Sequence, residues 1–179
     1  KEQQGGPSVK PYQPPGLWKE VAMLQSNTRE FQRGMGDDLW RRSLYTYWKR
    51  ACPPPSLLTL DAPTREFCTV RRSTTNTPLQ ALVLWNDEQF VEAARVLAQR
   101  TLAQAGSDEE RLQAAYRRCT GHPLAKDQLQ LGLDLLRTMR QRYAAAPDDA
   151  KALLAVGEAP RDTNLPAPEL AAWTIVANA

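Results

Sequence analysis

The spacing of hydrophobic and polar positions changes character at Thr77. Beyond it, apolar residues recur at helical spacing almost to the end of the chain. Thr77 followed by Pro78 predicts a capped helix start, with proline where its missing N–H costs nothing. Leu79, Leu82, Val83, Leu84 and Trp85 make that helix apolar on most sides, so it is expected at the centre of the core. Asn86-Asp87 breaks it and caps a helix from Glu88 to Gln104, with Phe90, Val91, Ala94, Leu97 and Ala98 facing inward. A further helix starts at Ser107 or Asp108, runs through Cys119 and stops at Gly121-His122-Pro123. Another covers about Lys126 to Ala145. A short one spans Asp148 to Val156, closed by Gly157. Pro168 opens the last, carrying Leu170, Trp173, Ile175 and Val176.

Before Thr77 the pattern is broken. Gly5 to Gly16 holds too many prolines for a helix or a central strand and is expected to be an extended arm. A short helix is expected around Leu17–Leu24, with Trp18, Val21 and Ala22 on one face. Gln25–Gly36 reads as a loop or a short strand. Asp37 or Asp38 is placed to cap a helix through Arg50, with Leu44, Tyr47, Trp48 and Ala51 as its apolar stripe. Pro53-Pro54-Pro55 ends it. Ser56 to Thr77 then forms a long connection with a turn at Asp61-Ala62-Pro63; long connections of this kind tend to be functional. No segment repeats at a fixed period. The expected fold is therefore mainly all-α: one irregular helical domain over 1–179. It comprises a proline-rich arm (1–16), mixed helix and loop (17–76) and a helical part (77–179).

Composition narrows the function. Of 179 residues, 42% are hydrophobic and 24% charged, enough apolar material for a packed core. No apolar run approaches the ~20 residues of a membrane span. The net charge of +3 is too mild to argue for nucleic acid by itself. It is unevenly spread: residues 1–80 carry 12 Lys and Arg against 7 Asp and Glu, residues 81–179 carry 11 against 13. The single histidine, His122, sits in a turn, where a surface position is expected. Cys52, Cys68 and Cys119 form no CxxC pair, so no metal site is expected. Cys52 and Cys68 either pair across the long connection in an oxidising compartment or stay as buried thiols; Cys119 is left over. Glycine-rich phosphate loops, GxSxG and C-x-x-C-H are all missing. Both ends read as cut, Lys1 not being a start methionine and the last helix running to Ala179, so a fragment of a larger protein is expected.

Two polar groupings remain as candidate sites. In the first, Arg71, Arg72, Thr75, Asn76 and Thr77 precede a helix N-terminus, whose free N–H groups favour anions, with Asp61 upstream. Such a corner suits an acidic or polysaccharide ligand, with Asp61 as base in an enzymatic reading. The plainer reading is that the arginines pair with Asp61, Glu66 or Asp87 and pin the loop, and it is preferred. The second is Arg41, Arg42, Tyr45, Trp48 and Arg50, where bases alternate with aromatics as in single-stranded nucleic-acid binders. Helical spacing explains those aromatics as core anchors, and nucleic acid is not the expected partner.

Five motifs in fixed order carry a resemblance: GGPSVKPYQPPGLW, RRSLYTYWKR, PPPSLLTLDAP, CTVRRSTTNTPLQALVLWND and GEAPRD. The chain resembles the planctomycete-specific domain of unknown function found C-terminal in proteins that carry a planctomycete-type cytochrome c module. The match extends over nearly the whole chain. It carries over Arg41, Arg42, Tyr45, Arg50, Pro55, Asp61, Arg71, Arg72, Thr75, Asn76, Thr77, Pro78, Gln80 and Asn86, none with an assigned role. Cys52 and Trp85 depart from the pattern. The resemblance implies an extracytoplasmic location, periplasmic or cell-surface. No cofactor is expected in this segment, which lacks C-x-x-C-H; the resemblance implies an upstream cytochrome c module in the same polypeptide bearing haem c. It implies no reaction. An accessory or interaction module is the leading expectation. Part of a polysaccharide-oxidising or -cleaving site is the first alternative, and nucleic-acid binding through the basic-aromatic segment the second.

Overall fold

The computed structural model describes all residues from Lys1 to Ala179. They form eight α-helices, two short 3-10 helices and no β-strand, so the architecture is mainly all-α. The chain divides into two compact units, Lys1–Val83 and Leu84–Ala179.

The first unit is mostly irregular. Its α-helices are α1 (Leu17–Val21), α2 (Pro55–Thr59) and the start of α3 (Pro78–Asn86). Its apolar centre is small, built on Val9, Tyr12, Trp18 and Leu39. The Trp18 indole meets Phe31 edge-on at 5.0 Å and Tyr47 at 5.5 Å. The proline-rich arm is threaded into this unit. Val9 N–H donates to the Tyr45 carbonyl and Tyr47 N–H to the Val9 carbonyl, both at 2.8 Å, an isolated parallel bridge. Arg41, itself buried, donates from Nη2 to the carbonyls of Gln3 at 3.2 Å and Gly5 at 2.6 Å.

That bridge explains a correction. The helix expected from Asp37 or Asp38 to Arg50 does not form. Gly36–Trp40 and Ser43–Tyr45 are short 3-10 helices, Thr46 is extended, 47–49 have no regular structure and Arg50 enters a turn. The backbone of Tyr45 and Tyr47 is committed to Val9, which a continuous helix would forbid; tertiary pairing overrides local spacing. Leu44, expected to face inward, is exposed. α2 lies inside the expected long connection, started by the last of three prolines.

The second unit is built on α4 (Glu88–Leu102), α5 (Asp108–Thr120), α6 (Lys126–Ala145), α7 (Pro147–Leu154) and α8 (Ala167–Asn178). Each starts within two residues of its expected position. Asp87 caps α4, its carboxylate accepting from Gln89 N–H at 3.0 Å. Ser107 and Glu110 form a reciprocal capping box on α5. The core is α8, enclosed by α4, α6 and α7. Leu170, Ala171, Ala172, Trp173, Thr174 and Val176 are all buried, and Thr174 returns its hydroxyl to the Leu170 carbonyl at 2.7 Å. Its small alanines let neighbouring helices approach from every side.

α3 is the second correction. It is apolar on most sides, yet Leu79, Leu82, Leu84 and Trp85 are exposed and its buried residue is Gln80. The side it turns inward meets a polar knot of Gln80, Asp61 and Thr75 rather than an apolar groove.

Candidate functional site

The first candidate grouping condenses around Asp61. The chain leaves α2 with Asp61 N–H bonded to the Leu58 carbonyl at 3.1 Å, and Asp61 adopts φ 61°, a left-handed turn that short polar side chains tolerate. This turn faces the carboxylate toward the segment before α3. Oδ2 accepts from Thr75 N–H at 2.8 Å, the Thr75 hydroxyl reaches both oxygens at 2.8 and 2.9 Å, and Gln80 Nε2 donates to Oδ2 at 3.1 Å. Gln80 Nε2 also contacts Thr75 Oγ1 at 2.9 Å and the Thr59 carbonyl at 3.0 Å. Arg72 closes the other side, Nε to the Asp61 carbonyl at 3.1 Å and Nη2 to the Leu60 carbonyl at 2.9 Å. Thr77 and Gln80 cap α3 reciprocally: Gln80 N–H donates to Thr77 Oγ1 at 3.3 Å and Thr77 N–H to Gln80 Oε1 at 3.0 Å.

Four of the six residues named from sequence, Asp61, Arg72, Thr75 and Thr77, are thus brought together. Arg71 and Asn76 are exposed and form no hydrogen bond or ion pair. Gln80 is the residue that site reasoning left out; its signal was the Thr-x-x-Gln spacing of a capping box. The Thr75 N–H, then its hydroxyl, with Gln80 and Arg72 adding to them, hold the Asp61 carboxyl below its ordinary value. A carboxylate stabilised in this way is a weak general base.

The second grouping does not lie on one helix, and its rings face inward to the chain's own cations. The Arg41 guanidinium sits 4.0 Å from the Tyr45 ring, and Arg65 sits 4.7 Å from Trp48, whose Nε1 donates to the Thr64 carbonyl at 2.9 Å. Lys49 lies 4.7 Å from Trp18 and donates to the Thr28 carbonyl at 2.6 Å. Arg42 and Arg50 are exposed. A nucleobase would have to displace these internal cations before it could stack.

A further constellation was missed altogether. On α4, Glu92 and Arg95 are 2% and 1% exposed, with 3.9 Å between their charged atoms. Both reach the loop between α7 and α8, which carries the GEAPRD motif (157–162). Glu92 Oε1 accepts a short hydrogen bond from Ala159 N–H. Arg95 Nη2 donates to the Ala159 carbonyl at 2.7 Å and the Val156 carbonyl at 3.4 Å. One turn on, Gln99 Oε1 accepts from Asp162 N–H at 3.4 Å and Nε2 donates to the Pro160 carbonyl at 3.5 Å. Gly157 has φ +80°, and a Cβ there would stand 2.6 Å from the Glu92 carboxylate, so only glycine fits. The spacing of Glu92, Arg95 and Gln99 puts all three on one face of α4. Charged and amide side chains on a helix this rich in polar residues are normally solvated.

Elsewhere in the second unit Arg140 is clamped between Asp108, at 2.5 and 3.1 Å, and Glu169, at 2.6 and 2.9 Å, and Glu169 also accepts from Trp173 Nε1 at 3.0 Å. Hydrogen bonds to Glu169 and Asp108 keep the guanidinium firmly charged, and Arg140 lowers the Asp108 pKa. This cluster borders an open cavity of about 570 Å³ lined by Ser107, Asp108, Glu109, Leu133, Leu136 and Arg137. Both carboxylates of the cluster are engaged by Arg140, and Arg137 at the cavity wall pairs with Asp134 at 2.9 Å. No group of three or more His, Cys, Asp or Glu is placed to hold a metal ion. The cysteines are free thiols: Cys52 is half-buried, whereas Cys68 and Cys119 are exposed rather than buried. His122 is exposed in its turn.

The fold and these clasps define an all-α domain whose polar side chains mainly grip its own loops. The chain belongs to the family described as PSD1: Protein of unknown function (DUF1553), whose profile matches residues 1–136. No curated protein and no solved structure matches it. No helix is long and apolar enough to cross a membrane.

Proposed function

We propose that this chain is a non-catalytic accessory module that works by contact with other parts of an extracytoplasmic protein. In this reading a haem c-bearing module lies upstream in the same polypeptide, as the resemblance to the planctomycete-specific domain implies. The observation that carries the non-catalytic part is the state of the polar block at Asp61. Both carboxylate oxygens accept hydrogen bonds from the chain itself, and Arg72 is directed to main-chain carbonyls. Groups engaged in this way hold a loop in place. They are poorly suited to clamp a substrate, and a carboxylate with a lowered pKa gives little driving force for proton abstraction.

The test is Asp61→Asn in the full-length protein, assayed for polysaccharide oxidation and cleavage, with the haem content of the same protein measured by its absorption spectrum. The accessory reading expects bound haem c and no Asp61-dependent turnover. Turnover that is abolished by Asp61→Asn while the melting temperature is kept would replace it with the enzymatic one. A full-length protein without haem c would remove the cytochrome link.

A further inference from the structure

The knot at Asp61 and Thr75 closes the base of a loop whose tip touches little else. Thr64 and Arg65 are fixed on Trp48, by the indole hydrogen bond at 2.9 Å and the guanidinium 4.7 Å above the ring. From there to Thr75 every residue is exposed. Phe67 is 72% exposed and Val70 105%, more than in an extended peptide, so these side chains project clear of the fold. Arg71 stands beside them unbonded and Arg65 lies on the Trp48 ring at the base, against the single acidic residue Glu66; Arg72 is spent on the Asp61 knot. A compact loop with closed ends and an ordered base is a common vehicle for recognition. Here the recognition elements are two apolar side chains in a basic collar.

We propose that this tip attaches the protein peripherally to an anionic lipid bilayer. Phe67 and Val70 enter the interface and Arg71, with Arg65, meets the headgroup phosphates. Charge complementarity and size select this occupant. The first unit carries the chain's positive excess, 12 basic against 7 acidic residues over 1–80. The exposed tip, residues 65–75, is about half of the roughly 20–30 residues a side that a stable protein interface engages. A bilayer demands no complementary shape and rewards apolar insertion and cationic flanks together. Because the base is pre-ordered by the Asp61 knot, attachment costs little loop entropy. This goes beyond the accessory role proposed above and stands without it.

The experiment is sedimentation of the chain with vesicles of phosphatidylcholine containing about one-third phosphatidylglycerol, compared with pure phosphatidylcholine. Binding is expected on the anionic vesicles at low salt, at least about tenfold weaker on the neutral ones, and strongly reduced as the Debye length contracts. The double variant Phe67→Ser, Val70→Ser is expected to lose about tenfold or more while keeping its melting temperature, since neither side chain is packed. In Phe67→Trp, the added indole emission is expected to be quenched by brominated lipid. No binding of the wild-type chain to anionic vesicles at low salt overturns the proposal, and is the result expected if the tip docks a protein instead. Equal binding by the double variant, or unquenched emission from vesicle-bound Phe67→Trp, overturns it as well.

Discussion

Each unit contains a clasp of the same design. In the first, a carboxylate (Asp61) accepts a main-chain N–H and an arginine (Arg72) donates to main-chain carbonyls. In the second, Glu92 and Arg95 do the same to the 156–162 loop. The first clasp is open to water, and its carboxylate and arginine stand 11 residues apart, on the gripped segments themselves. The second is sealed, with both charges on one helix and 1–2% exposed. Exposed charge pairs contribute little because water competes with them. A sealed pair is different: desolvation makes the intact pair nearly neutral in free energy, while loss of one partner leaves an uncompensated charge. The same chemistry therefore tunes a surface loop in one place and dictates an all-or-none geometry in the other.

The comparison can be broken most sharply at the sealed clasp. Glu92→Ala or Arg95→Ala is expected to destabilise the second unit by about 3–5 kcal/mol, read as a lowered denaturant midpoint. An unchanged midpoint would mean that the pair is solvated in solution. Gly157→Ala comes next, at about 1–3 kcal/mol, because a Cβ at φ +80° is both strained and pressed on the Glu92 carboxylate. In the first unit, Gln80→Ala removes a buried amide that donates to Asp61, Thr75 and Thr59, for about 1–2 kcal/mol.

Acid should weaken the open clasp progressively. Asp61 has its pKa depressed in the fold by the Thr75 donors, so its contribution is present above the unfolded value and is lost as pH falls through the folded one, below about pH 4. Asp108, depressed by Arg140, follows the same sign. Melting temperature should fall as pH drops through that window, and less steeply for Asp61→Asn. The smallest effect belongs to Arg71→Ala and Asn76→Ala. Both side chains are exposed and unbonded, and a change within about ±0.5 kcal/mol is expected. A fall of several degrees for Arg71→Ala would place that arginine in the knot as well.

Much of the first clasp was legible because its members stand in an irregular, polar, proline-bounded stretch where no periodicity accounts for them. Thr77-Pro78 marked the helix start, and Asp61 and Arg72 stood out against a loop. Arg71 and Arg72 could not be told apart, since which of two adjacent guanidiniums turns inward depends on the turn geometry. Glu92, Arg95 and Gln99 were invisible for the opposite reason. They fall at helical spacing on a helix rich in polar residues, where charges are normally solvated. Only the fold of a segment some sixty residues downstream puts them inside. The segment from Asp37 to Arg50 misled because its aromatics do fit a helical stripe, while Val9, far upstream, claims its backbone.

The sequence by itself determined the all-α character, the helix starts from Pro78 onward and the caps of α3, α4 and α5. These depend on residues a few positions apart, where backbone donors and side-chain acceptors meet whatever the rest of the chain does. It did not determine which helix became the core. α3 and α8 are both short, proline-started and apolar nearly all round, yet α8 is buried and α3 leaves Leu79, Leu82, Leu84 and Trp85 in water. Burial requires surfaces to be buried against. α4, α6 and α7 supply them around α8, while the side α3 turns inward meets the polar knot at Gln80. Hydrophobicity is a property of the segment; the groove that receives it is a property of the tertiary structure.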